Sequence, residues 1–184
     1  FSSFERDWKK ALAERPKLDF NPDVGFENKL VFRGEKGKPT GELSSIPQPK
    51  ARDHMHLGEM FHARQRFVAA VVEYKKAVRL AGDHNPVLQT RLAESLIQTG
   101  KPKEAIEALE RVKDLYPSYV RTWILMGRAY NDLKLYEEAL ENLNEAARIN
   151  PFDPEVHEET AQAHQETGGN EKAADARKLL NLVK

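Results

Sequence analysis

The chain has 184 residues and balances 29 Lys+Arg against 29 Asp+Glu, so its composition supplies no general pull toward nucleic acid or an anionic membrane. Hydrophobic residues at 40% suffice for a core, and charged residues at 32% beside 8% aromatics suit a helical surface laced with ion pairs. The absence of cysteine removes disulfides, thiolate zinc sites and a cysteine nucleophile together.

The chain opens on Phe1 rather than Met, which reads as a piece cut from something longer. It carries no signal-peptide run and no stretch of roughly 18 apolar residues, so membrane insertion is not expected. Ser2-Ser3-Phe4-Glu5 reads as a helix start, with Ser2 capping and Glu5 reaching back. Phe4, Trp8, Ala11 and Leu12 then share one face, and Arg15-Pro16 ends a short amphipathic helix over 1–15. Residues 16–50 have no helical period and read as an extended linker, with a brief strand near 29–33 and an extended Ile46-Pro47-Gln48-Pro49. Two readings stay open for this linker: part of it packs along the repeats with Phe26, Leu30 and Phe32 as anchors, or it is a disordered segment with no such packing.

From Ala51 onward a period takes over. Leu57-Gly58 recurs as Leu92-Ala93, Met126-Gly127 and Thr160-Ala161, in steps of 35, 34 and 34 residues. Twelve residues after each small position comes another, at Ala70, Ala105, Ala139 and Ala173, as two closely approaching helices require. Large side chains fill the complementary places: Phe61, Leu96, Tyr130 and His164 on the first helix of each unit, Tyr74, Leu109, Leu143 and Arg177 on the second. Ala77, Val112 and Ala146 follow, and Pro86, Pro117 and Pro151 are read as stopping the second helices, since proline has no amide hydrogen for the ladder. The spacing predicts helix pairs over 52–64 and 67–81, 87–99 and 102–115, 119–132 and 136–149, and 154–167 and 170–182. Gly100 and Gly168-Gly169 sit where first helices must turn through a positive φ.

Trp123-Ile124-Leu125-Met126-Gly127-Arg128-Ala129-Tyr130 matches a W-x2-L-G-x2-Y signature apart from Met126. With the period, this resembles the tetratricopeptide repeat family over residues 51–184, in units of about 51–85, 86–119, 120–153 and 154–184. The resemblance implies an all-α, right-handed superhelical solenoid of about four hairpins, with a concave surface that binds a peptide or protein and no catalytic role. His164 and Arg177 replace the usual apolar residues, so the fourth unit reads as a terminal cap with a wetter outer face.

Carrying the family's inward-facing positions onto this chain gives Arg52, Met55, Glu59, His62 and Ala63, then Val87, Thr90, Glu94, Ile97 and Gln98. The third and fourth units supply Arg121, Ile124, Arg128, Asn131 and Asp132, then Glu155, Glu158, Gln162, Gln165 and Glu166. Chaperone-binding members grip a terminal carboxylate with lysine, asparagine and arginine at positions that here read Met55, Glu59, Glu94, Ile124 and Arg128. Only Arg128 fits, and Glu59 and Glu94 would repel a carboxylate, so chaperone tails are disfavoured and a mixed or basic segment is expected.

Other chemistry finds little footing. His157-Glu158-Glu159-Thr160-Ala161 begins like HExxH but places Ala161 where the second imidazole is needed, and His54, His56 and His62 do not share a helix face. There is no G-x-S-x-G elbow, Walker loop or G-x-G-x-x-G, so no catalytic residue, metal or cofactor is assigned. Phe4-Glu5-Arg6-Asp7-Trp8, followed by Leu57-Gly58-Glu59-Met60 and Ala70-Val71-Val72-Glu73-Tyr74-Lys75-Lys76-Ala77, looks like the C-terminal part of bacterial proteins in which a gluzincin (peptidase MA-like) domain precedes the repeats. That resemblance implies the partner-binding tail of an envelope metallopeptidase, periplasmic or envelope-associated, with its zinc site upstream of Phe1. A cytoplasmic adaptor and a structural module that self-associates are the other expectations.

Overall fold

The computed structural model describes residues 45–183. The helix expected over 1–15, the strand near 29–33 and the anchors Phe26, Leu30 and Phe32 lie outside the described residues. The described part is all-helical: α1 (Pro49–Ala63), α2 (Phe67–Ala81), α3 (Pro86–Gln98), α4 (Pro102–Lys113), α5 (Val120–Asp132), α6 (Tyr136–Ile149), α7 (Pro154–Glu166) and α8 (Asn170–Val183). Each helix predicted from residue 52 onward is present. The largest shift is at the first, which starts at Pro49 because proline's fixed φ and missing amide suit the first helical turn. The same device starts α3, α4 and α7. Pro86 therefore opens α3 instead of stopping α2, which ends at Ala81 where Gly82 (φ +92°) donates its N–H to Val78 O at 2.9 Å.

Consecutive helices pack as antiparallel hairpins, and the small residues of the repeat explain the closeness. A Cβ added to Gly58 would stand 2.6 Å from Tyr74 Cε1, and one added to Gly127 would stand 2.6 Å from Leu143 Cγ. In the first and third hairpins the large residue of the second helix thus fills the notch left by the glycine of the first. Tyr74, Leu96, Leu109, Leu125, Met126 and Leu143 are all essentially inaccessible. The last hairpin is thinner: its buried positions are mostly alanine (Ala161, Ala163, Ala173, Ala176). Arg177 reaches the surface and donates to Gln165 Oε1. Its outer face is not uniformly wet, since Leu179 and Leu182 are exposed.

All four turns within hairpins share one geometry. The chain leaving the first helix passes through a left-handed residue at Gln65 (φ +58°), Gly100 (+71°), Lys134 (+61°) and Gly168 (+79°). The following amides of Arg66, Lys101, Leu135 and Gly169 donate back to the carbonyls of Phe61, Leu96, Tyr130 and His164 at 2.8–2.9 Å, which closes each helix end with a Schellman motif.

A second recurring device lies between hairpins. Gln89 Nε2, Trp123 Nε1 and His157 Nε2 occupy one repeat position, and each donates to a carbonyl six residues upstream, on Asp83 (2.7 Å), Pro117 (2.8 Å) and Pro151 (2.7 Å). The truncated HExxH at His157 is thus accounted for by a loop staple. At the same position of the first hairpin, His54 Nδ1 meets Glu73 Oε2 at 2.7 Å instead.

Residues 45–48 are fastened to the repeats. Ile46 is fully buried in the cluster that contains Ala51 and Met55, and Arg52 Nη1 donates to Ile46 O (2.9 Å) and Pro47 O (3.2 Å). Asn85, whose side chain caps α3 through Leu88 N, also donates Nδ2 to Ser45 O at 3.1 Å. No helix among the described residues is long and apolar enough to cross a membrane.

Candidate functional site

First helices of successive hairpins touch one another, α3 with α5 and α5 with α7. They therefore occupy the shorter, inner side of the stack, and the side chains they present inward form its concave face. Across that face runs a ladder of charge pairs. Arg121 Nη2 donates to Glu94 Oε1 (2.8 Å) and its Nη1 to Glu155 Oε1 (2.6 Å), so one guanidinium on α5 ties together the hairpins on both sides. Arg128, about two turns further along α5, donates Nη2 to Glu155 Oε2 (3.0 Å) and Nε to Glu159 Oε1 (2.5 Å). Asn131 Nδ2 completes the set with Glu159 O (3.1 Å) and Oε2 (3.0 Å). Toward the first hairpin the pairs loosen: Arg91 stands 3.7 Å from Glu94 and 3.9 Å from Glu59, and His56 lies 3.8 Å from Glu59.

The electrostatics follow from the pairing. Burial raises the Glu155 carboxyl, but the hydrogen bonds and charges of Arg121 and Arg128 outweigh it and leave its pKa below the ordinary 4.5. Arg128 is disfavoured by burial yet held above its usual value by Glu159 and Glu155. Asp132 goes the other way: burial, then the nearby Glu159 charge, raise it, and Arg128 only partly compensates. Glu158 and Glu166 are exposed on α7, and Glu166 accepts a long hydrogen bond from Tyr136 Oη at 3.5 Å.

The expected inward set divides accordingly. Glu59, Glu94, Arg121, Arg128 and Asn131 come together in the ladder. Met55 and Ile124 are fully buried, and Thr90 is buried with its hydroxyl on Pro86 O and Val87 O, so these three lie beneath the surface. Arg52 is turned to the backbone of Ile46 and Pro47. His62 stacks edge-on against Phe67, with ring centroids 5.1 Å apart, and Gln98 lies at the hairpin turns instead of in the ladder. Gln162 is exposed on α7. Arg91 and Glu159 were missed. Each sits one residue past the second inward position of its unit, Thr90 or Glu158, about 100° further round the helix, where only a long side chain reaches back to the face. The charge at that place, opposite an Arg on the neighbouring first helix, is the signal that could have found them. Among the described residues no three His, Asp or Glu side chains gather where they could hold a metal.

A family model described as TPR repeat matches residues 127–168, and one described as anaphase-promoting complex, cyclosome, subunit 3 matches residues 63–146. A thermophilic TPR protein of Thermus thermophilus superposes with a TM-score of 0.68 at 21% identity, over 73% of this chain and 74% of that one. The chain is a tetratricopeptide-repeat solenoid. The repeats extend to a curated relative, the TPR repeat-containing protein YpiA of Bacillus subtilis (strain 168), 31% identical over 96% of this chain. The chain spans 42% of that relative's length. The first TPR of Spaghetti (RPAP3), bound to the HSP90 peptide SRMEEVD, superposes with a TM-score of 0.62 at 22% identity over 67% of this chain and 98% of that one. As a tetratricopeptide array the molecule has the fold of a protein-interaction scaffold.

Proposed function

We propose that this chain is a non-catalytic scaffold whose concave face binds a protein or peptide segment of mixed or basic charge. The observation that carries the reading is the ladder. Arg121 and Arg128, the cations at its centre, are already saturated by Glu94, Glu155 and Glu159, so an incoming carboxylate would have to break existing charge-assisted bonds. The margin formed by Asp132, Glu158 and Glu166 stays acidic, and a ligand cation beside Asp132 relieves a carboxyl that burial and Glu159 disfavour in its charged form. SRMEEVD, the peptide held by the Spaghetti domain, is accordingly a poor match for this groove.

The test is a random peptide library selected on the protein and counter-selected on Asp132→Lys/Glu166→Lys, with SRMEEVD assayed separately by fluorescence anisotropy. Net-basic sequences that the double variant no longer captures, together with no saturable SRMEEVD binding, are the expected result. Saturable SRMEEVD binding, or sequences indifferent to the variant, would overturn the reading.

Self-association through the repeats has one observation in its favour, the exposed Leu179 and Leu182 on α8. Light scattering decides it, since a mass that stays monomeric as concentration rises removes it. The reading as an envelope metallopeptidase tail draws no support from the relatives named above.

A further inference from the structure

The edge of the solenoid at the first two hairpin turns carries a surface unlike the groove. The opening of α2 shows Val68 at 72% and Val72 at 47% exposure, one turn apart on the same side. Between them and the end of α3 lies a hollow of about 540 Å³ lined by Gln65, Arg66, Phe67, Val68, Val72 and Gln98, among others. Exposed Arg66 lines it, and Arg64, two residues earlier in the same turn, is exposed as well. Every other arginine among the described residues holds an oxygen: Arg91, Arg111, Arg121, Arg128 and Arg148 hold carboxylates, Arg52 and Arg79 backbone carbonyls, and Arg177 an amide. Among the described residues, Arg64 and Arg66 hold none.

We propose that this edge is a second docking surface, for an acidic peptide segment carrying a large apolar side chain. The apolar group would fill the hollow against Phe67, Val68 and Val72, and flanking carboxylates would take up the free guanidiniums of Arg64 and Arg66. Charge complementarity selects the occupant: α2 begins with no side-chain cap and no acidic residue in its first turn, so its positive dipole end adds to the two arginines. Beneath the hollow, His62 packs on Phe67 and keeps Nε2 buried without a hydrogen-bond partner. A concave hollow with two protruding valines fits a side chain in a pocket better than a flat lipid surface, which favours a peptide over an anionic membrane. The surface is separate from the groove and asks for the opposite charge.

The library selected for the groove also tests the edge, with Arg64→Glu/Arg66→Glu as the counter-selecting variant. Both side chains are exposed, and circular dichroism melting confirms that the variant is folded. The expected result is a class of acidic sequences with a large apolar residue, bound roughly ten-fold or more weakly by the variant and by Val68→Glu, and unaffected by Asp132→Lys/Glu166→Lys. Adding one such peptide to the ¹⁵N-labelled protein should shift the amides of Val68, Val72 and Gln98. The proposal fails if no such class is enriched, if the shifts fall on Arg121 and Arg128, or if vesicles of phosphatidylglycerol and phosphatidylcholine displace the peptide-free protein from solution in an Arg64- and Arg66-dependent way. Loss of the basic class alone would sink the groove reading and leave the edge intact.

Discussion

Gly58 and Gly127 face Tyr74 and Leu143, and at each the missing Cβ is the space the larger side chain occupies. Gly127→Ala would gain helix propensity of about 1 kcal/mol but force a fully packed Leu143 to move, and overpacking of that kind costs about 1–3 kcal/mol. A net loss of roughly 1 kcal/mol is expected from urea unfolding, and a stabilised variant would contradict this account. These notches were legible in the sequence, because small and large residues recur at fixed offsets and only close helix packing requires that. The left-handed turns were half legible: Gly100 and Gly168 announce them, whereas Gln65 and Lys134 adopt the same φ with side chains that give no local sign of it. There the tertiary register overrides local preference.

At the scale of elements, α1 is longer at its start than its period implied, and the reason lies ahead of it. Ile46 is buried under the first hairpin while Asn85 joins Ser45 to the start of α3, so residues 45–48 clamp two hairpins. Ile46→Ala should cost roughly 2–4 kcal/mol, the usual range for emptying a buried aliphatic site. Denaturant midpoints measure it, and a loss below about 1 kcal/mol would mean that the site collapses or that the clamp is unimportant. The linker's aromatic residues stand out in the sequence by their size. Ile46 does not, because a lone aliphatic residue beside prolines has no periodic context. The groove was legible only as a register. Which of its residues are sunk, such as Met55 and Thr90, and which reach in from one place further round, such as Arg91 and Glu159, depends on helix rotation that a periodic sequence does not encode.

For the whole molecule, the inner ladder makes stability depend on pH. Glu155 has a folded pKa held below 4.5, and so does Glu73, where burial opposes but hydrogen bonds from Lys76 and His54 prevail. A depressed carboxyl stabilises the fold fully above its unfolded value, and that contribution is lost as pH falls through the folded one. Stability should therefore hold from neutrality to about pH 5 and fall below about 4.5, while Asp132, raised by burial and Glu159, works in the opposite sense over its own titration. Urea midpoints at about pH 7 and about pH 3.5 check this, and Arg121→Gln/Arg128→Gln should lose less between them than the unmodified chain. An equal loss would show that the acid response comes from elsewhere.

A solenoid of stacked hairpins is mechanically a coil spring, and its pairs are not evenly spaced along the coil. Between α3 and α7 each gap is bridged by bonds of 2.5–3.0 Å, while between α1 and α3 the charges face each other at 3.9 Å. Opening the inner face therefore breaks short charge pairs toward its end, whereas at its beginning the first two hairpins are joined instead by Lys75 and Glu104 at 2.8 Å, on α2 and α4, and by Ser45 and Asn85. A ligand that widens the groove therefore strains different bonds at its two ends, guanidinium–carboxylate pairs at one and the links around α2 and α4 at the other.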